Sequence, residues 1–362
     1  MGPHRGWGLS PGLCRRVQRA AAYRARRTPR RRVAAVWLGG LVAALAVSVG
    51  GLAAPTELVL THWWGTTAGE ALEESLFPAF ERRFPVELKQ QMFSWGEYYD
   101  KWVVTSAAGK PMGDVILVDA KFAQDMFAAG PYFVDLQPLL RRDRIDARRF
   151  SQAALRQFSP YADASGTLYA LPIVSGTVVP FYNRDALAGA GVAAPDASWS
   201  WDQFFATASE LRRMEGASVT RYGFGGWHQG ILEAMIPSYG GRLLSPDRTE
   251  PALESPIVVD ALIRLREMRA SNVYGGDFPK GTAVFHFTGD WDPGWWGELP
   301  FGWGIMPMPS GPAGRYTTAW SNGLAIPSTL SGDKLDLAWE FVKFYAMNPE
   351  RLGVPDIYLN MM

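Results

Sequence analysis

The chain has 362 residues, 48% of them hydrophobic, with 36 Lys and Arg against 35 Asp and Glu, four His and one Cys. Ten of the basic residues are arginines between Arg5 and Arg32, and no Asp, Glu or Lys precedes Glu57, so the remainder holds 26 basic and 35 acidic groups, a net of −9. That balance excludes a nucleic-acid binder acting through a basic face, and with Cys14 alone no disulfide can form in the later chain. The length beyond the arm exceeds what one core usually holds and predicts two lobes.

The arginine arm runs directly into VAAVWLGGLVAALAVSVGGLAA, Val33 to Ala54. A basic region, an apolar segment and small residues at its end predict an export signal over residues 1–54, cleaved after Ala53 or Ala54. Its 22 uncharged residues are also long enough to span a bilayer as an uncleaved anchor. Either way the rest of the chain is expected outside the cytoplasm, in the periplasm or at the cell surface.

Beyond this segment one arrangement repeats: a short apolar strand, an aromatic or acidic residue just past it, then a helix start. Glu57 to His62 reads as a strand, Trp63 and Trp64 follow, and Thr67 with Glu70 forms a capping box before a helix that Pro78 should kink. Val86 to Phe93 alternates as a half-buried strand, Ser94 and Glu97 form a second capping box, and Trp95 falls on the first helical turn. Asp114 to Val118 is a buried strand that delivers Asp119 to a helix ending at Gly130-Pro131. Alternating strands and helices predict a largely parallel sheet, which brings strand carboxyl ends to one rim where ligands bind. The extended run LYALPIVSGTVVPFYNRD, broken by Ser175-Gly176, reads as a crossover and hinge.

The pattern resumes downstream. Ser200 and Gln203 cap a helix, Arg221 to Gly225 is a short strand, and Trp227 and His228 stand at the next helix entry. Ser255-Pro256 opens a helix with Ile257, Ala261, Leu265 and Met268 on one face. Thr282 to Phe287 reads as a strand, and GDWDPGWW, Gly289 to Trp296, follows it. A second crossing is predicted at Thr317 to Ser328, with Trp320 and Asn322 inside it, before the helix DKLDLAWEFVKFYA. Trp339 and Trp102 read as core, and Trp295 and Trp296 either face the cleft or clamp their loop. Asn322 either meets ligand or shapes a turn with Gly323, and His228 is either a pocket donor or a helix-start residue.

In their order and spacing, GDVILVD, LYALPIVSGTVVPFYNRDAL, SYGGRLLSPD, FHFTGDW, WGIMPMPSGPAG, SNGLAIPS and AWEFVKFY resemble the extracellular solute-binding proteins of ABC importers. The likeness runs from about Thr56 to Met347 and is to the sugar-binding group that includes maltose-binding protein. It implies an α/β, two-lobed, type II periplasmic-binding-protein-like fold with a hinge at Ser175 and Gly176. Lobe 1 would be residues 55–175 plus 322–347 and lobe 2 residues 176–321, with 348–362 an incomplete tail of a truncated C-terminus. It implies no catalysis, cofactor or metal, a monomer, and as partners a carbohydrate ligand and the membrane subunits of a permease. Trp291 matches the family's glycine-x-tryptophan, whose ring stacks on sugar, and Asp119 a polar position that contacts sugar hydroxyls. Val118 and Gly176 stand where maltose-binding protein has a stacking tryptophan and a pocket glutamate, which argues against maltose itself.

A pyranose presents a face of C–H groups and a belt of hydroxyls, so flat rings beside carboxylates and amides suit it. The expected sugar-binding set is Trp63, Trp64, Trp95, Asp119, Trp227, His228, Asp290, Trp291, Trp320 and Asn322. Aromatic boxes with carboxylates also suit a polyamine. A secreted glycoside hydrolase would need a carboxylate pair at a defined separation, which the i, i+2 spacing of Asp290 and Asp292 does not establish.

Overall fold

The computed structural model describes residues 55–160, 166–246 and 250–347. The predicted export signal and the expected C-terminal tail lie outside the described residues.

Nine strands form one sheet. They are β1 (Thr56–His62), β2 (Val86–Met92), β3 (Val115–Asp119), β4 (Ala170–Asn183), β5 (Arg213–Glu215), β6 (Ser218–Gly226), β7 (Ala283–Gly289), β8 (Trp303–Ile305) and β9 (Ala319–Ala325). Their order is β2-β1-β3-β9-β4-β7-β6-β5, with β8 also paired to β4. The expected largely parallel sheet needs correcting. Only β1 with β2, β1 with β3, and β6 with β7 run parallel. β9 is antiparallel to both β3 and β4, and β4 is antiparallel to β7 and β8. The reason is connectivity: β9 re-enters the first half of the sheet from the second and so runs against the strand that left it.

The main helices are α1 (Gly65–Ala71), α2 (Trp95–Ala107), α3 (Ala120–Ala128), α4 (Trp201–Leu211), α5 (His228–Ser238), α6 (Pro256–Ala270) and α7 (Gly332–Met347). They cover two hydrophobic cores. One gathers Leu58, Phe80, Leu117, Ile173, Trp339 and Phe341, the other Val178, Trp201, Phe204, Phe224, Phe285 and Phe287. Each such side chain, removed from water, contributes on the order of 1.5–3 kcal/mol. β4 belongs to both: its first half pairs with β9 and its second half, from Val178, with β7. Contrary to the predicted break, β4 runs unbroken through Ser175-Gly176, and the irregularity in its pairing falls between Pro172 and Val174.

Local chemistry explains several boundaries. The predicted cap at Thr67 is displaced because α1 already begins at Gly65. Helix then continues through a π-helical turn, Leu72–Leu76, closed by Phe77 N–H donating to the Leu72 carbonyl. The wider turn accommodates Pro78, which cannot donate to the ladder. At Ser94 the predicted capping box is replaced: the Ser94 hydroxyl donates to Glu97 Oε2 at 2.7 Å and makes no cap to the backbone. At Ser200 both bonds of the box are present, with Gln203 N–H to Ser200 Oγ at 3.2 Å and Ser200 N–H to Gln203 Oε1 at 2.9 Å.

Candidate functional site: a tryptophan-lined cleft

On the first core, β1 ends at His62, which is fully buried. Its Nδ1 accepts from Trp64 N–H at 3.2 Å, so the neutral ring donates from Nε2 to Gln90 Oε1 at 2.8 Å. Burial pushes its pKa down, which keeps it neutral and the joint rigid. Trp63 meets Trp95 edge-on at 5.1 Å and Tyr98 at 4.7 Å. Trp64 is 9% exposed and stacks on Tyr345 of α7 at 5.8 Å, whereas Trp95, first residue of α2, is 42% exposed.

Asp119 closes β3 and caps α3. One carboxylate oxygen accepts from Lys121 N–H at 2.7 Å, the other from Asn322 Nδ2 at 2.9 Å. Asn322 lies opposite Asp119 across the β3–β9 pairing. The predicted turn at Asn322-Gly323 is therefore absent: both residues are in β9, and the Asn322 amide is committed to a carboxylate 203 positions away. Burial pushes the Asp119 carboxyl up to about 6, against the opposing hydrogen bonds from Lys121 N–H and Asn322.

From the second core, Trp227 caps α5 and its N–H donates to Phe287 O at 2.7 Å. Its ring lies 6.3 Å from that of Trp291, which meets Trp320 edge-on at 4.2 Å. Two glycines make room. A Cβ on Gly289 would sit 1.6 Å from Trp291 Cζ3, so the indole folds back over bare backbone. Gly176 pairs with Trp320 across β4 and β9, and a Cβ there would lie 2.2 Å from Trp320 Cη2 and 2.5 Å from Asp290 Oδ1.

Trp63, Trp64, Trp95, Asp119, Trp227, Trp291, Trp320 and Asn322 thus line one cleft of about 460 Å³, together with Lys121. Ligand pockets commonly enclose roughly 300–1,000 Å³. The two other residues of the expected sugar-binding set, His228 and Asp290, are not in this lining. His228 is exposed at the start of α5. Asp290 does not line the cleft but, like Trp320, crowds the bare backbone of Gly176; burial pushes its carboxyl up to about 6, and its Oδ1 has no hydrogen-bond partner among the described residues. Ser175 exchanges a hydroxyl bond with Ser321 at 2.8 Å. Asp292 is held by the Thr288 hydroxyl at 2.8 Å. Trp296 packs on Phe181 and Phe278 as a loop clamp, while the Trp295 side chain lies outside the described residues.

Lys121 escaped the sequence reading because a lysine on a first helical turn looks like solvated surface. The available signal was its place two residues after a capping Asp at a strand's carboxyl end. No group of three or more His, Cys, Asp or Glu among the described residues could hold a metal ion, and no described helix is long and apolar enough to cross a membrane.

A family model for bacterial extracellular solute-binding proteins matches residues 63–350. The arabinooligosaccharide-binding protein of Bacillus subtilis (strain 168) is 27% identical over 164 residues, 44% of this chain and 36% of that protein. The aligned stretch is thus about a third of the relative's length. Among solved structures, the Listeria monocytogenes ABC substrate-binding protein Lmo0181 in complex with cycloalternan superposes with a TM-score of 0.71 at 24% identity, covering 82% of this chain and 76% of that one. UgpB from Mycobacterium tuberculosis in complex with glycerophosphocholine gives 0.69 at 22%, covering 82% and 78%. The fold is that of the type II periplasmic binding proteins, and the chain belongs to the bacterial extracellular solute-binding proteins.

Proposed function

We propose that the protein is the extracytoplasmic binding component of an ABC importer, which grips a sugar or oligosaccharide in the tryptophan-lined cleft and delivers it to a membrane permease without chemical turnover. The observation that carries this is the meeting of six indole rings, three from residues 63–95 and three from residues 227–320, around the hydrogen-bonded Asp119–Asn322 pair. Rings cover the C–H faces of pyranoses, and the carboxylate and amide answer the hydroxyls. A hydrogen bond to a charged acceptor is worth about 1.5–3 kcal/mol net, against about 1 for a neutral pair. Asp290 and the Trp320 ring crowd the same side of Gly176.

In this reading the lobes are residues 55–175 with 322–347, and 176–321, and they close about the two strands that cross between the cores, at Ser175 and Gly176 of β4. Periplasmic binding proteins are themselves a standard example of hinge closure around ligands. The polyamine alternative is disfavoured because the lining carries one carboxylate and a lysine, and a second cation repels a cationic ligand.

Calorimetric titration with oligosaccharides, spermidine and putrescine tests the proposal, with reducing ends assayed in the same samples. Saturable one-to-one binding of a carbohydrate without sustained release of reducing ends is expected. Tighter binding of a polyamine, or continuing hydrolysis, contradicts it.

A further inference from the structure

Lys121 belongs to the cleft lining, yet its ammonium forms no ion pair among the described residues. It lies 5.5 Å from the centroid of the Phe122 ring. The fold elsewhere gives such groups acceptors: Lys343 and the Trp339 indole N–H both donate to Asp143. In the cleft, Asp119 is the one lining carboxylate, and each of its oxygens already accepts a hydrogen bond. None of the six lining indoles donates its N–H to a protein acceptor among the described residues. The wall therefore offers many donors and few free acceptors.

Closing such a wall around a ligand removes an ammonium from water, which is costly unless a counter-charge accompanies it. A polyamine brings only donors. A neutral sugar brings a donor with every hydroxyl acceptor and so leaves the surplus in place. A carboxylate or phosphate on the sugar brings acceptors without donors, together with the missing charge.

We infer that the cleft selects carbohydrate bearing an anionic group, and that Lys121 is the residue which recognises that group. The inference rests on the carbohydrate reading given above and adds the charge of the ligand to it.

The test uses protein exported from cells that express the full chain, titrated calorimetrically with matched acidic and neutral pairs. These are galacturonate against galactose trimers, glucuronate against glucose trimers, and hexose 6-phosphates against the free hexoses. At least one acidic member should bind ten-fold or more tighter than its neutral partner, with the preference falling as salt is raised. The uronate and phosphate arms identify which anion it is. In Lys121→Gln the acidic-to-neutral affinity ratio should fall towards one, and in Lys121→Arg it should persist, both variants melting as cooperatively as the wild type. Neutral members binding as tightly as acidic ones, or a ratio indifferent to Lys121→Gln, overturns the inference while leaving a carbohydrate receptor intact. Binding of no carbohydrate at all overturns both readings.

Discussion

At the scale of single residues, the cleft lining includes positions that carry a local energetic cost. Asp119 is buried with its carboxyl pushed up to about 6, so the folded state holds that proton more tightly than the unfolded chain. Its stabilising contribution is complete below about pH 4 and is lost as pH rises through 6. Asp119→Asn should therefore gain stability relative to the wild type as pH rises from 4.5 to 7.5, by about 2 kcal/mol. Thermal melts across that range check it; a pH-independent difference argues against the assignment. In the same variant a neutral oligosaccharide should bind about ten-fold more weakly, since a neutral acceptor replaces a charged one. Gly289→Ala should displace the Trp291 ring, whose Cζ3 would lie 1.6 Å from the new Cβ. Lost affinity with retained cooperative unfolding is expected, read by calorimetry and circular dichroism. The Gly-x-Trp motif was legible in the sequence, but the reason for its glycine was not, because it depends on how the indole folds back. Likewise the Gly176–Trp320 contact joins residues 144 positions apart, so Gly176 read alone looked like a break in a strand.

At the scale of elements, strand ends followed by aromatic or acidic residues were readable because period-two apolar runs and cap residues are local signals. Strand direction was less so: β9 is a short apolar run whose neighbours are chosen by the return of the chain, and nothing within Ala319–Ala325 records that. The Ser94 cap shows the limit of motif reading, since the residue types fit a capping box and the hydroxyl bonds Glu97 instead. Helix α7 illustrates a contact no pattern predicts. Trp339 Nε1 donates to Asp143 Oδ2 at 2.7 Å, and Lys343 and Arg142 bind the same carboxylate. Burial opposes its ionisation, but hydrogen bonds from Lys343, Arg142 and Trp339 win and hold it down to about 2. Asp143→Ala should destabilise the protein by about 1–3 kcal/mol at neutral pH. That difference should be constant above about pH 4 and shrink as pH falls through 2, which denaturant titrations at several pH values can follow.

At the scale of the whole molecule, two hydrophobic cores share one sheet through β4, and six indoles, three from residues 63–95 and three from residues 227–320, line a single cleft. In the proposed reading, rings that would be wasteful on an open surface become useful when both walls of the cleft meet a flat, hydroxylated ligand. If the cores close about the crossing strands, ligand should lower the radius of gyration in small-angle scattering, and an unchanged value at saturation would contradict closure. The most direct test of the shared cleft is calorimetric titration of one oligosaccharide into Trp95→Ala and Trp291→Ala, one variant from each of the two sequence segments that line it. Both should lose about 2 kcal/mol, roughly thirty-fold in affinity, as expected for an aromatic anchor, with one-to-one stoichiometry. If either variant binds within two-fold of the wild type, the rings of the two segments do not act on the same ligand.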